Sequence, residues 1–117
     1  MLSIPAGVRV LLCVTPTDMR KNFDGLSGLV QSVFERNVLD GHLFLFLNRR
    51  RDRVKILYWD HDGLAIWSKR LEAGTFQLPV YPDAARHIEL DAADLSLLLS
   101  GIDLRSAKRR KRYQVAS

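Results

Sequence analysis

The sequence predicts a small α+β domain. An antiparallel β-meander is packed by one long N-terminal helix and one short C-terminal helix, and a basic tail follows. Three observations predict it. Residues 42–71 divide into three apolar or alternating runs joined by two short polar connectors. Met19 to Phe34 carries apolar residues at helical spacing. Val8–Val14, short and rich in β-branched residues, precedes them as a strand.

Taken in order, the first strand, Val8–Val14, ends at Thr15-Pro16-Thr17. A helix follows with Thr17 or Asp18 as its N-cap, burying Met19, Phe23, Leu26, Leu29, Val30, Val33 and Phe34 on one face. Gly25 and Gly28 lie inside it at about 1 kcal/mol each against Ala, a cost that implies close approach of another backbone. Asn37 and Asp40-Gly41 mark the exit. His42–Asn48 is almost wholly apolar, as a central strand is. Arg53–Trp59 and Leu64–Arg70 alternate, and the Asp-Gly of the second connector supplies hairpin chemistry. Pro79 and Pro82 form a connector, and Arg86–Leu90 reads as a short edge strand. Asp91 caps the last helix, with Asp94 three residues on completing an acidic capping box. Leu95, Leu98 and Leu99 face the core before Gly101 stops the helix.

Charge divides the chain. Among 117 residues there are 18 Lys+Arg and 13 Asp+Glu. Six of the cations lie in residues 105–117, so residues 1–104 hold 12 bases against 13 acids. The expected organisation is therefore a near-neutral folded unit, 1–104, and a cationic arm, 105–117, containing Lys108, Arg109, Arg110, Lys111 and Arg112. Such an arm reads as a handle for phosphate backbones or as a solvated tail. No apolar run reaches the ~18 residues needed to span a bilayer, and the N-terminus has no signal-peptide pattern. Cytoplasmic location is the expectation. Cys13 sits in an apolar strand with no base near it in sequence, and reads as a buried small hydrophobe.

The connector and outgoing strand Arg49-Arg50-Arg51-Asp52-Arg53-Val54-Lys55 hold five cations and one acid. A hairpin stiffened by its ladder presents such arginines to phosphates or a groove. An exposed polar turn is the plain alternative, but four arginines around one turn repel one another, which favours a functional role. Arg20 and Lys21 fall in the expected first helical turn. Two cations beside free backbone N–H groups make a phosphate site; local neutralisation by Asp18 is the competing reading. Tyr58, Trp59 and Trp67 read as cross-strand packing rather than a base-stacking platform. His61 between Asp60 and Asp62 reads as a polar turn rather than a metal site, and no Cys/His cluster has zinc spacing. Phosphate-binding glycine loops and nucleophile elbows are absent too, so no catalytic residues, metal or cofactor are expected.

Thr17-Asp18-Met19-Arg20-Lys21-Asn22-Phe23-Asp24-Gly25-Leu26 resembles the "DMRK-x-x-DGL" element of bacterial insertion-sequence accessory proteins. Gly41–Phe44, Asn48–Arg53, Lys55–Asp60, Lys69–Glu72, Leu98–Asp103 and Lys111-Arg112-Tyr113 continue the likeness, in order and at similar spacing. The family is the TnpB type, the second-reading-frame product of the sixty-sixth insertion-sequence family; it is distinct from the RNA-guided nuclease of the same name. The resemblance implies a helper encoded beside a separate, larger transposase. It carries over no catalytic residue.

Two functions of different class follow. One is a non-catalytic DNA-binding factor that engages transposon ends through Arg20 and Lys21, through Arg49, Arg50, Arg51, Arg53 and Lys55, and through Lys108–Arg112. The other is a protein–protein adaptor for the transposase, since the chain without 49–55 and the tail carries 7 cations against 12 acids. A third and weaker reading is an RNA-associated basic protein. A long exposed edge strand in a small meander also invites pairing, and a homodimer is consistent with it.

Overall fold

The structure, a computed structural model, describes residues 6–100. The basic tail with Lys108, Arg109, Arg110, Lys111 and Arg112, and the helix stop at Gly101, lie outside the described residues. Five strands form one sheet: β1 (Val10–Cys13), β2 (Leu43–Leu47), β3 (Arg53–Asp60), β4 (Gly63–Arg70) and β5 (His87–Leu90). Helix α1 is Phe23–Phe34 and α2 is Ala92–Ser100, with a single 3-10 turn at Val38–Asp40.

The strand order is β4-β3-β2-β1-β5. β2, β3 and β4 form the expected antiparallel meander, and β5 is the expected edge strand, antiparallel to β1. β1, however, runs parallel to β2, with Val10 opposite Leu43. The sheet is therefore mixed. A parallel neighbour requires a crossover, and α1 supplies it. β1 and β2 are buried along their whole length because both faces of the sheet are covered, which explains their unbroken apolar runs.

Alternation sorts the side chains into two cores. On one face Val10, Leu12, Leu43, Leu45, Leu47, Val54 and Ile56 meet Leu95, Leu98 and Leu99 of α2, with Phe76 and Leu78 from the connector. On the other, Leu11, Cys13, Phe44, Phe46 and Leu57 meet Leu26, Val30 and Phe34 of α1. The Phe34 ring lies 5.3 Å from that of Phe44 and 5.9 Å from that of Phe46, tilted and edge-on. Burial pushes the Cys13 thiol above its ordinary range, as for a small hydrophobe. Tyr58 and Trp67 pack against the α2-side core, which is the packing expected of them.

Phe23, expected on the buried face, is 43% exposed, and two further details of the first helix differ from expectation. It begins at Phe23, after Asn22, rather than at Thr17 or Asp18, and is correspondingly short. The reason is local competition. Asp18 spends its carboxylate on the N–H of Arg20 (2.9 Å), and its carbonyl accepts the N–H of Lys21 (3.1 Å), closing a turn before the helix starts. Nor do the helix glycines admit a backbone. A Cβ at Gly25 would lie 3.2 Å from Cβ and Cγ of Lys21, so Gly25 makes room for that side chain, and Gly28 faces open space. At α2 the acidic capping box forms as read: Asp91 Oδ1 accepts the N–H of Asp94 at 2.7 Å, and Asp94 Oδ2 accepts that of Asp91 at 3.4 Å.

Candidate nucleic-acid interface

The Asp18–Lys21 turn and the arginine hairpin, about thirty positions apart in the chain, are brought together by two contacts. The N–H of Thr17 donates to the carbonyl of Leu47 at 2.8 Å, just before the hairpin. The Lys55 ammonium donates to the carbonyls of Met19 and Lys21, each at 2.8 Å. Lys55 points to the α1 face because it follows Val54 on a pleated strand, and that face carries the turn. Its charge is thus committed to holding backbone.

The hairpin is scaffolded by Asn48. Its Oδ1 accepts the N–H groups of Asp52 (3.1 Å) and Arg53 (3.0 Å), and its Nδ2 donates to Asp52 Oδ1 at 2.6 Å. The Asn48 amide is the main reason the Asp52 carboxyl sits below its ordinary range. Arg51 takes a left-handed backbone (φ 57°), and its carbonyl accepts the N–H of Phe76 at 2.7 Å. The tip is therefore fixed on both sides. Arg49, Arg50 and Arg53 are exposed, whereas Arg51 is half-buried.

Strand register adds a cation that the sequence reading missed. Arg53 lies directly opposite Arg70 on β4, and both belong to the α1 face. Arg70 is exposed and bonds Glu72 Oε1 through Nη2 (2.8 Å) and Nε (3.1 Å). Like charges directly opposed across a ladder are unfavourable, and one carboxylate offsets only one of the pair. The signal was present: the turn residues are His61-Asp62 rather than Asp62-Gly63, and pairing Asp60 with Gly63 puts Arg53 against Arg70.

These groups surround a cleft of about 540 Å³. Arg49, Arg50, Arg53 and Arg70 line it with Asp18 and Asp52. A neighbouring cleft of about 380 Å³ shares Met19, Arg53 and Arg70. Arg20 stands beside it, with its side chain 91% exposed and Nη2 2.7 Å from Asp18 Oδ2. That guanidinium, then the Arg20 N–H, holds the Asp18 carboxyl down at about 2. So exposed an ion pair adds little stability; it orients the arginine. A larger cleft, about 950 Å³, lies at the far end of α1, but Glu35, Arg36 and Asp40 give it no dominant sign of charge. Among the described residues no three His, Cys, Asp or Glu side chains gather as a metal site would need, and no helix is long and apolar enough to cross a membrane.

Of the sequence-predicted site residues, Arg49, Arg50 and Arg53 thus line one cleft, and Arg20 is tied to its edge through Asp18. Lys21 is exposed beside it in the turn before α1, rather than in a helical turn. Lys55 is a clamp beneath it, and Arg51 turns the backbone.

The family model of the IS66 Orf2-like proteins matches residues 8–109. The chain belongs to that family. The motif likeness, from Thr17 to Tyr113, and the family match thus agree, and membership makes this a transposition-associated accessory protein. The IS66 Orf2-like family is not a known catalytic one. Two relatives come from Sinorhizobium fredii (strain NBRC 101917 / NGR234). The uncharacterized protein y4jC is 34% identical over 94% of this chain and 92% of its own. The uncharacterized protein y4hO is 41% identical over 87% of this chain and 89% of its own. No solved structure matches.

Proposed function

We propose that this IS66 Orf2-like protein is a non-catalytic DNA-binding factor of transposition, and that its rigid contact surface is the arginine cleft. One observation carries the reading. The Asp18–Lys21 turn and the Asn48–Arg53 hairpin converge so that four arginines line one cleft around the opposed pair Arg53 and Arg70. An incoming phosphodiester relieves that repulsion and accepts from both planar forks. Arg49 and Arg50 extend the contact along the tip, with Arg20 and Lys21 exposed on the turn that Asp18 begins. Lys108–Arg112 add phosphate contacts without sequence information. The target is the transposon ends, and the protein acts in the cytoplasm, at the nucleoid when bound, beside the separately encoded transposase.

The test is titration of a labelled duplex carrying a terminal inverted repeat, beside a scrambled duplex, over a salt series. Replacing Arg49, Arg53 and Arg70 by Ala should flatten the log–log salt slope by up to about 3 and remove any preference for the repeat. A chain ending at Leu104 should lose up to about 5 of slope yet keep that preference. If neither duplex binds at low salt, the reading fails, and the transposase becomes the partner to assay in its place.

A further inference from the structure

β4 forms one margin of the sheet, and among the described residues no further strand pairs with it. Its eight residues keep unbroken register with β3, without a bulge or a proline, whereas the opposite margin, β5, has four. The ladder decides which backbone groups face outward. Asp60 pairs with Gly63 to close the hairpin, and the N–H of Leu71 donates to the carbonyl of Asp52 at 2.7 Å. Gly63, Ala65, Trp67, Lys69 and Leu71 therefore bond inward. The N–H and C=O groups of Leu64, Ile66, Ser68 and Arg70 point away from β3 and have no partner strand among the described residues. The strand is also polar in charge. It leaves an acidic turn, Asp60-His61-Asp62, and ends at Lys69-Arg70.

We propose that β4 pairs antiparallel with β4 of a second copy, with Ile66 at the two-fold axis. In that register Ile66 faces Ile66, Leu64 faces Ser68, and Ala65 faces Trp67, so the indole lies beside a methyl group. Arg70 of each copy arrives opposite Asp62 of the other, while the Lys69 ammonium stays on the Leu99 carbonyl of its own protomer at 2.7 Å. The edge is self-complementary in charge and size, as an isologous contact must be. Registers shifted toward the basic end are worse. Centring on Trp67 sets indole against indole and Glu72 against Asp62; centring on Ser68 sets Ile66 against Arg70. A partner strand of another protein has no such reason to match both the charge gradient and the Trp–Ala step.

The dimer is a continuous ten-stranded sheet. Its axis is perpendicular to the sheet, so both arginine clefts open on the same face. Their Arg53–Arg70 pairs lie on the order of 30 Å apart, close to one duplex turn. The dimer itself is independent of DNA and is measured without it.

Sedimentation velocity on the full chain, from ~10 µM to ~1 mM, should show dimer growing with concentration. Hydrogen exchange should show the amides of Leu64, Ile66 and Ser68 gaining protection in step, while those of Ala65, Trp67 and Lys69 are protected throughout. Ser68→Pro removes an N–H with no partner inside the protomer and should weaken association at least ~10-fold. Asp62→Lys, at an exposed turn, should weaken it several-fold without disturbing the strand. A chain that stays monomeric to ~1 mM overturns the proposal. So does a dimer whose outward amides exchange freely, or one indifferent to Asp62→Lys.

Discussion

The two hairpin loops of the meander do the same topological job with different means. Each reverses an antiparallel pair, and each holds one non-glycine residue left-handed, Arg51 in the first and His61 in the second. The acidic turn has little else: the N–H of Asp62 bonds the carbonyl of Asp60, and the strands follow at once. The basic loop has the Asn48 side chain across its base, a bond from Phe76 to the Arg51 carbonyl, and the Lys55 clamp on the turn beside it. Reversing a chain needs only the first kind of loop. Holding several guanidinium groups near one another against their repulsion needs the second.

That contrast can be broken by mutation. Asn48→Ala removes three hydrogen bonds from the basic loop and should cost about 2–3 kcal/mol in urea unfolding, while Asp62→Ala in the acidic turn should stay within about 0.5 kcal/mol. Equal effects would mean the loops are built alike. Lys55→Met keeps the aliphatic stem but frees the carbonyls of Met19 and Lys21, for a loss of about 1–2 kcal/mol. It should also weaken duplex binding without the unit change in salt slope that loss of a phosphate contact gives. A slope reduced by about 1 would instead make Lys55 a contact residue. In the acidic turn His61→Gly relieves the left-handed backbone and should raise stability by about 0.5–1 kcal/mol after the entropic cost of glycine. A loss would show that the imidazole does more there than fill a turn.

The smallest effect is one of pH. The Asp18 carboxyl is depressed to about 2, from an ordinary 3.8, by Arg20. A depressed carboxyl contributes stability above its unfolded value that is lost as pH falls through its folded one, so the Asp18–Arg20 tie should persist to below pH 3.8 and fail towards pH 2. Carbon-detected NMR of the side-chain carboxyl measures it directly. Titration near 3.8 would show that the pair does not form in solution.

The local elements were legible because their signals are local. Alternation in Arg53–Asp60 and Gly63–Arg70, the unbroken apolar β2, and the Asp91–Asp94 box each reflect neighbours a few residues away. The start of α1 was not, because Asp18 suits a helix cap and a turn equally, and the choice fell to the Arg20 N–H and guanidinium. Arg49, Arg50 and Arg53 announced themselves as a charge run. Arg70 did not, since its meaning depends on a register set by two turn residues eight positions away.

By itself, then, the sequence determined an α+β domain, the order of its strands and helices, most of the faces they bury, and the location of its basic clusters. Tertiary structure alone decided that β1 would lie between β2 and β5, parallel to the first and antiparallel to the second, that the hairpin with Arg53 and Arg70 would meet the Asp18 turn, and that Lys55 would spend its charge on two carbonyls. The physical reason is range. Periodicity and capping act over one turn or one pleat, while strand order, register and the partner of a long cationic side chain are fixed by contacts tens of residues apart.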